Sequence, residues 1–138
     1  MSEPLRILML EDRAADAELN ERELRKAGIE HTAYRVETEE GFRKQLLEFR
    51  PGLILADYTL PTWDGRSALT VAQAQCPEVP FIFVTGTRGE ETAVDALLAG
   101  ASDFVLKQRA DRLGGAVLRA MRNVEQQHAL DVAERRLR

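Results

Sequence analysis

Five short strand-like runs punctuate the chain, and four of them break off abruptly into residues of distinct chemistry. Residues 5 to 10, apolar apart from Arg6, run straight into Glu11 and Asp12. Leu53-Ile54-Leu55-Ala56, bounded by Pro51-Gly52 and Pro61, delivers Asp57. Phe81-Ile82-Phe83-Val84 leads to Thr85-Gly86-Thr87, and residues 103 to 106, with Phe104-Val105-Leu106, lead to Lys107. Short, continuous apolar runs between turn signals predict strands covered on both faces, as in a parallel sheet. The remaining run, residues 31 to 36, is polar enough to predict a strand near the sheet edge.

Helical patterns fill the intervals. Ala14, Ala17, Leu19 and Leu24 lie among charges up to Gly28, which reads as a helix stop. Thr38 with Glu39 and Glu40 opens a helix carrying Phe42, Leu46, Leu47 and Phe49. Trp63-Asp64-Gly65 reads as a turn into a helix with Ala68, Leu69, Val71 and Ala72, broken by Cys76-Pro77. From Glu90-Glu91 to Gly100 the stripe Ala93, Val94, Leu97, Leu98 predicts another buried face. Leu113, Val117, Ala120 or Met121, and Val124 mark the last helix, which Leu130, Ala133 and Leu137 continue with a shifted phase. Strand and helix alternating five times predict an α/β fold: a three-layer sandwich whose parallel sheet is joined by right-handed crossovers.

In such a sheet all strand carboxyl ends lie on one edge, where ligands collect. Glu11, Asp12, Asp57, Thr85 and Lys107 therefore converge. For Asp57 alone, a helix cap or loop aspartate is the competing reading. Three clustered carboxylates repel one another unless a cation joins them, which points to a hard divalent ion such as Mg²⁺. An ionised aspartate beside that ion can attack a phosphoryl donor to form an aspartyl phosphate, with Lys107 as a further cation and Thr85 as a hydrogen-bond donor to a phosphoryl oxygen.

Composition narrows the field. A chain of 138 residues with 44% hydrophobic content suits one domain. The single cysteine, Cys76, excludes an intrachain disulfide and reads as a small packed residue before Pro77. With no signal peptide or membrane-length apolar run, the expected compartment is the cytoplasm. Residues 1 to 108 carry net charge −7 and residues 109 to 138 carry +3. An acidic body with a mixed-charge tail argues against nucleic acid as a partner.

The residues assembled so far resemble the receiver domain of two-component response regulators, over residues 5 to about 122. The resemblance implies a doubly wound five-stranded sheet of flavodoxin-like order 2-1-3-4-5. It makes Asp57 the phosphoacceptor, Glu11 and Asp12 the acidic pair for Mg²⁺, Thr59 a metal ligand through its backbone carbonyl, Thr85 the switch hydroxyl, Phe104 the aromatic switch and Lys107 the phosphate-contacting cation. A histidine kinase or phosphotransfer protein is the implied donor; the protein would be a signalling switch, not an enzyme, relaying the signal through the face of its fourth helix, fifth strand and fifth helix. Leu60-Pro61, Asp64-Gly65 and Gly100-Ala101 also match. Two positions depart from the family pattern: Glu11 stands where Asp is commoner, and Gln108 replaces the proline that usually follows the lysine. A Lys-Gln bond is expected trans, since non-proline cis costs ~3 kcal/mol, so the loop into the last helix is expected to be built differently.

Other readings are weaker. A phosphatase of the haloacid dehalogenase type needs a second acid two residues beyond the nucleophile, where Thr59 stands. Neither a Gly-rich dinucleotide turn nor a phosphate loop follows the first strand. Phe104 taken singly is core filler; Trp63 reads as a loop residue at the site rim; His31 and His128 read as surface positions. The last helix overruns the sheet, dividing the chain into a receiver over 1–124 and a helical extension over 125–138, a linker or coiled-coil stem that suits a homodimer or a C-terminal output domain. A stand-alone receiver and a fragment of a hybrid sensor kinase both fit, and the stretch 83–91 with Lys107-Gln108 resembles the latter. A receiver-shaped interaction module that acts without phosphorylation is the alternative function.

Overall fold

The computed structural model describes residues 3–86 and 90–137. Along the chain run β1 (Leu5–Leu10), α1 (Ala14–Lys26), β2 (His31–Val36), α2 (Glu39–Glu48), β3 (Leu53–Ala56), α3 (Gly65–Gln75), β4 (Phe81–Thr85), α4 (Glu90–Leu98), β5 (Asp103–Leu106) and α5 (Leu113–Leu137), with a 3₁₀ segment Lys107–Arg112 before the last helix. The strands form one parallel sheet in the order β2-β1-β3-β4-β5. This is the flavodoxin-like order, with the polar β2 at one edge as its composition predicts.

Alternation along each strand feeds two separate cores. Ile7, Met9, Leu53, Leu55, Ile82 and Val84 face Ala17 and Leu24 of α1 and Leu113, Ala116, Val117 and Ala120 of α5. Leu8, Leu10, Ile54, Ala56, Phe81 and Phe83 face Phe42 and Leu46 of α2, Ala68 and Leu69 of α3, and Ala96 of α4. Each large side chain buried in this way contributes roughly 1.5–3 kcal/mol. A sheet apolar on both faces has no solvated side, which is why its inner strands read as continuous hydrophobic runs.

Local chemistry sets the helix starts. Thr38 caps α2 by accepting from the Gly41 N–H at 3.1 Å, and Asp64 caps α3 by accepting from the Ser67 N–H at 2.8 Å. Gly65 allows the chain to double back against the β3 end. Its N–H donates to the Tyr58 carbonyl at 2.8 Å, and a Cβ there would stand 2.5 Å from the Asp57 carbonyl oxygen and 2.6 Å from the Phe83 ring. Gly65→Ala is therefore expected to cost about 2 kcal/mol through overpacking against backbone that cannot yield. Urea unfolding should show a lower midpoint with an unchanged slope.

Three expectations need correction. In α4 the stripe Val94, Leu97, Leu98 faces outward, Leu98 being 84% exposed, while Ala96 is fully buried. Ala96 is the α4 residue in the core with Phe81 and Phe83, and the larger side chains lie on the solvent side. His31 is not a surface side chain: only 4% of its imidazole is exposed. It opens β2 beneath α1, with Nδ1 3.1 Å from the Ile29 carbonyl and Nε2 3.2 Å from Glu21 Oε1. Phe42, Leu46 and Phe49 pack as α2 requires, but Leu47 is exposed.

Beyond Lys107, every described peptide bond is trans, and the chain turns through the 3₁₀ segment with a kink at Arg109 (φ −122°, ψ 43°). Helix α5 packs through Leu113, Ala116, Val117 and Ala120. Beyond Val124 its described side chains are exposed, apart from the half-buried Val132.

Candidate functional site

Sheet register builds the site. Leu10 of β1 pairs with Ala56 of β3, so the next residues, Glu11 and Asp57, emerge side by side. Backbone ladders continue one step past the strands: Glu11 N–H donates to the Val36 carbonyl and Asp57 N–H to the Leu10 carbonyl, both at 3.0 Å. Thr85 of β4 pairs with Leu106 of β5, which places Lys107 just past it. Asp12, Asp57, Thr59, Thr85 and Lys107 line an open cleft of about 480 Å³.

Asp57 is buried and held from several directions. Thr85, itself fully buried, donates its hydroxyl to Asp57 Oδ1 at 2.7 Å. The Thr59 N–H reaches the same oxygen at 3.3 Å, and Lys107 Nζ donates to Oδ2 at 2.9 Å. Glu11 is also buried; its Oε1 lies 2.8 Å from Lys107 Nζ and its Oε2 accepts the Arg13 N–H at 3.1 Å. Burial raises the Glu11 carboxyl above its ordinary range, against the lowering effect of those two hydrogen bonds, and the Asp57 charge adds to the rise. Burial alone would lower the Lys107 ammonium, but its hydrogen bonds to Asp16, Glu11 and Asp57 raise it well above the ordinary lysine value.

Glu11, Asp12 and Asp57 each offer a carboxylate oxygen, and these lie within 4.8 Å of one another. An all-oxygen, anionic donor set fits a hard divalent cation such as Mg²⁺. Lys107 supplies one positive charge beside three carboxylates, too little to offset the cluster.

Phe104 is half-buried on β5, its ring centroid 6.3 Å from that of Phe83, so it adjoins the core without touching Asp57. Trp63 packs tilted on Phe42 at 5.7 Å. Cys76 lies away from the site, half-buried, its thiol raised by burial and by the charge of Glu78.

Asp16 escaped the sequence reading. It lies in the first turn of α1, and its Oδ2 accepts from Lys107 Nζ at 2.8 Å. The available signal was an acid four residues, one helical turn, beyond Asp12.

The family model of the response regulator receiver domain matches residues 7–118. The regulatory protein LuxO of Vibrio vulnificus is 42% identical over 73 residues, covering 52% of this chain and 16% of that protein. The chemotaxis protein CheY of Listeria monocytogenes is 33% identical over 78 residues, covering 56% of this chain and 66% of that protein. The chain thus spans a small fraction of the LuxO length. Among solved structures, NtrX from Brucella abortus superposes with a TM-score of 0.83 at 26% identity, covering 95% of this chain and 30% of that one. Among the described residues no helix is long and apolar enough to cross a membrane.

Proposed function

Because the chain belongs to the response regulator receiver domain family, matched over residues 7–118, we propose that it accepts a phosphoryl group on Asp57 from a histidine kinase or phosphotransfer protein and relays it as a conformational signal. One observation carries the reading: Asp57 is a buried carboxylate at a strand end, with the Thr85 hydroxyl at 2.7 Å and the Lys107 ammonium at 2.9 Å.

In the transfer, a carboxylate oxygen of Asp57 forms the O–P bond as the N–P bond of a phosphohistidine breaks. The electron pair stays on the leaving imidazole, which takes a proton from solvent. Glu11, Asp12, Asp57 and the Thr59 carbonyl would hold Mg²⁺, which offsets charge on the phosphoryl oxygens when bound. Lys107, 2.9 Å from Asp57 Oδ2, stabilises the developing charge as a preorganised cation in a partly dehydrated cleft.

The Thr85 hydroxyl already points at Asp57, so no inward swing is required of it. Its part in switching reduces to passing a hydrogen bond from carboxylate to phosphoryl oxygen. Phe104 follows through its packing on Phe83, and the face made by α4, β5 and α5 then changes. Residues 1–124 form the receiver in this reading. The extension, residues 125–138, is the stem through which a homodimer or a C-terminal output domain of a longer cytoplasmic protein would sense the change.

Incubation with a small phosphodonor and Mg²⁺ should add one base-labile phosphate per chain, and a chelator should prevent it. The loaded protein should show altered amide exchange over residues 104–120. Unchanged exchange in a fully phosphorylated sample would favour a module that acts without phosphorylation.

A further inference from the structure

Lys107 has three ammonium protons, and each has an acid to bind: Glu11 Oε1 at 2.8 Å, Asp16 Oδ2 at 2.8 Å and Asp57 Oδ2 at 2.9 Å. Two of these acids belong to the proposed metal set. Asp16 does not. It is anchored in α1, its N–H donating to the Arg13 carbonyl at 3.1 Å, and apart from the distant Arg13 side chain at 4.0 Å its partner is Lys107. Arg13 is 75% exposed, so that longer pair is screened by water and offsets little of the Asp16 charge.

We propose, resting on the phosphoacceptor reading of Asp57, that Asp16 is a positioning residue that holds Lys107 in the resting state and competes with the phosphoryl group for its ammonium. A phosphoryl group on Asp57 needs a donor from Lys107 and brings additional negative charge. With all three protons engaged, Lys107 can serve the new oxygen only by releasing an acid. Asp57 changes chemically in the reaction, and Glu11 also accepts the Arg13 N–H and belongs to the set that would hold Mg²⁺, so Asp16 is the acid that goes on claiming the ammonium. Both Asp16 and Asp57 lie within hydrogen-bond distance of one nitrogen, so the Asp16 carboxylate also repels the added charge directly.

The same contact could instead be read as help, a brace that aims Lys107 at the phosphoryl group. The two roles predict opposite signs. Removing the charge with a side chain of the same shape strengthens phosphoryl binding if Asp16 competes and weakens it if Asp16 braces.

The test uses the full chain and its Asp16→Asn, Asp16→Ser and Asp16→Glu variants, each saturated with Mg²⁺ and titrated with beryllofluoride as the phosphoryl analogue. Bound analogue is read by fluorine NMR. Asp16→Asn and Asp16→Ser should bind about tenfold more tightly than the parent, the scale of one partly screened charge at this range. Asp16→Glu, which keeps the charge, should return toward the parent affinity. In the unliganded Asn and Ser variants the Lys107 ammonium protons should exchange faster with water, an effect on Lys107 that a merely structural helix residue would not have. Equal or weaker analogue binding by both variants overturns the Asp16 role while leaving Asp57 as acceptor. Absence of binding by every form, parent included, overturns the Asp57 reading and this inference with it.

Discussion

Asp57→Asn should abolish phosphate uptake from a small phosphodonor, leaving only the background of an unreactive protein, because the amide cannot form the acyl phosphate. The substitution is close to isosteric. The Asn carbonyl still accepts from the Thr85 hydroxyl and the Thr59 N–H, both of which meet Oδ1 in the parent, and Lys107, which loses its Oδ2 acceptor, keeps Glu11 and Asp16, so the chain should remain folded. Loss of labelling then reports chemistry alone. Intact-mass measurement before and after base treatment distinguishes the outcomes. Full labelling of the variant would move the acceptor to another acid, with Glu11 and Asp12 the first to examine.

Lys107→Met is expected to damage both fold and function. The ammonium lies between Glu11, Asp16 and Asp57, whose side chains are 3%, 23% and 10% exposed. Deleting the cation leaves three close carboxylates with like charge and little water to screen the two deepest. Removing one partner of a fully buried pair costs 3–5 kcal/mol; Lys107 is 24% exposed, so screening reduces the expected loss to about 2 kcal/mol. Urea unfolding in the presence of a chelator should show it. Adding Mg²⁺ should recover part of the loss, since a divalent cation can offset the same acids. Phosphoryl uptake should still fall by roughly 100-fold, the usual scale for losing one preorganised charge at a developing anion. A variant as stable as its parent without Mg²⁺ would mean the three bonds to Lys107 contribute nothing net.

Much of this was legible along the chain because burial on both faces of the sheet leaves a simple trace. Leu53 to Ala56 must be apolar at every position, whichever core each side chain enters, and the first residue past the sheet is then free to be an acid. Parallel strands place all such residues on one edge, so Glu11, Asp57, Thr85 and Lys107 could be grouped without knowing a single distance. Helix faces were less legible. Leu97 and Leu98 dominate a hydrophobicity pattern, yet packing against a sheet is decided by fit, and it is Ala96 that lies in the core. Asp16 was hidden for a different reason: its bond to Lys107 spans 91 residues and joins a helix to a strand end, which no local period encodes. His31 looked polar and therefore external, whereas its ring lies within hydrogen-bond reach of the Ile29 carbonyl and of Glu21, which makes its burial tolerable.

The last helix has a mechanical consequence. Its fully buried contacts, on the core shared with β4 and β5, end at Ala120, Met121 and Val124 are still partly covered, and the rod continues, exposed apart from Val132, to Leu137. At 1.5 Å per residue the free arm from Val124 is about 20 Å long. A tilt of roughly 10° at its root would sweep the far tip by about 3.5 Å, some two thirds of a helical pitch of about 5.4 Å and of the order of the shifts by which packed elements change partners. A sub-ångström adjustment around Lys107 and Phe104 is thus geared up by leverage, and stiffness of the arm becomes the quantity that decides how far the news of a phosphate travels.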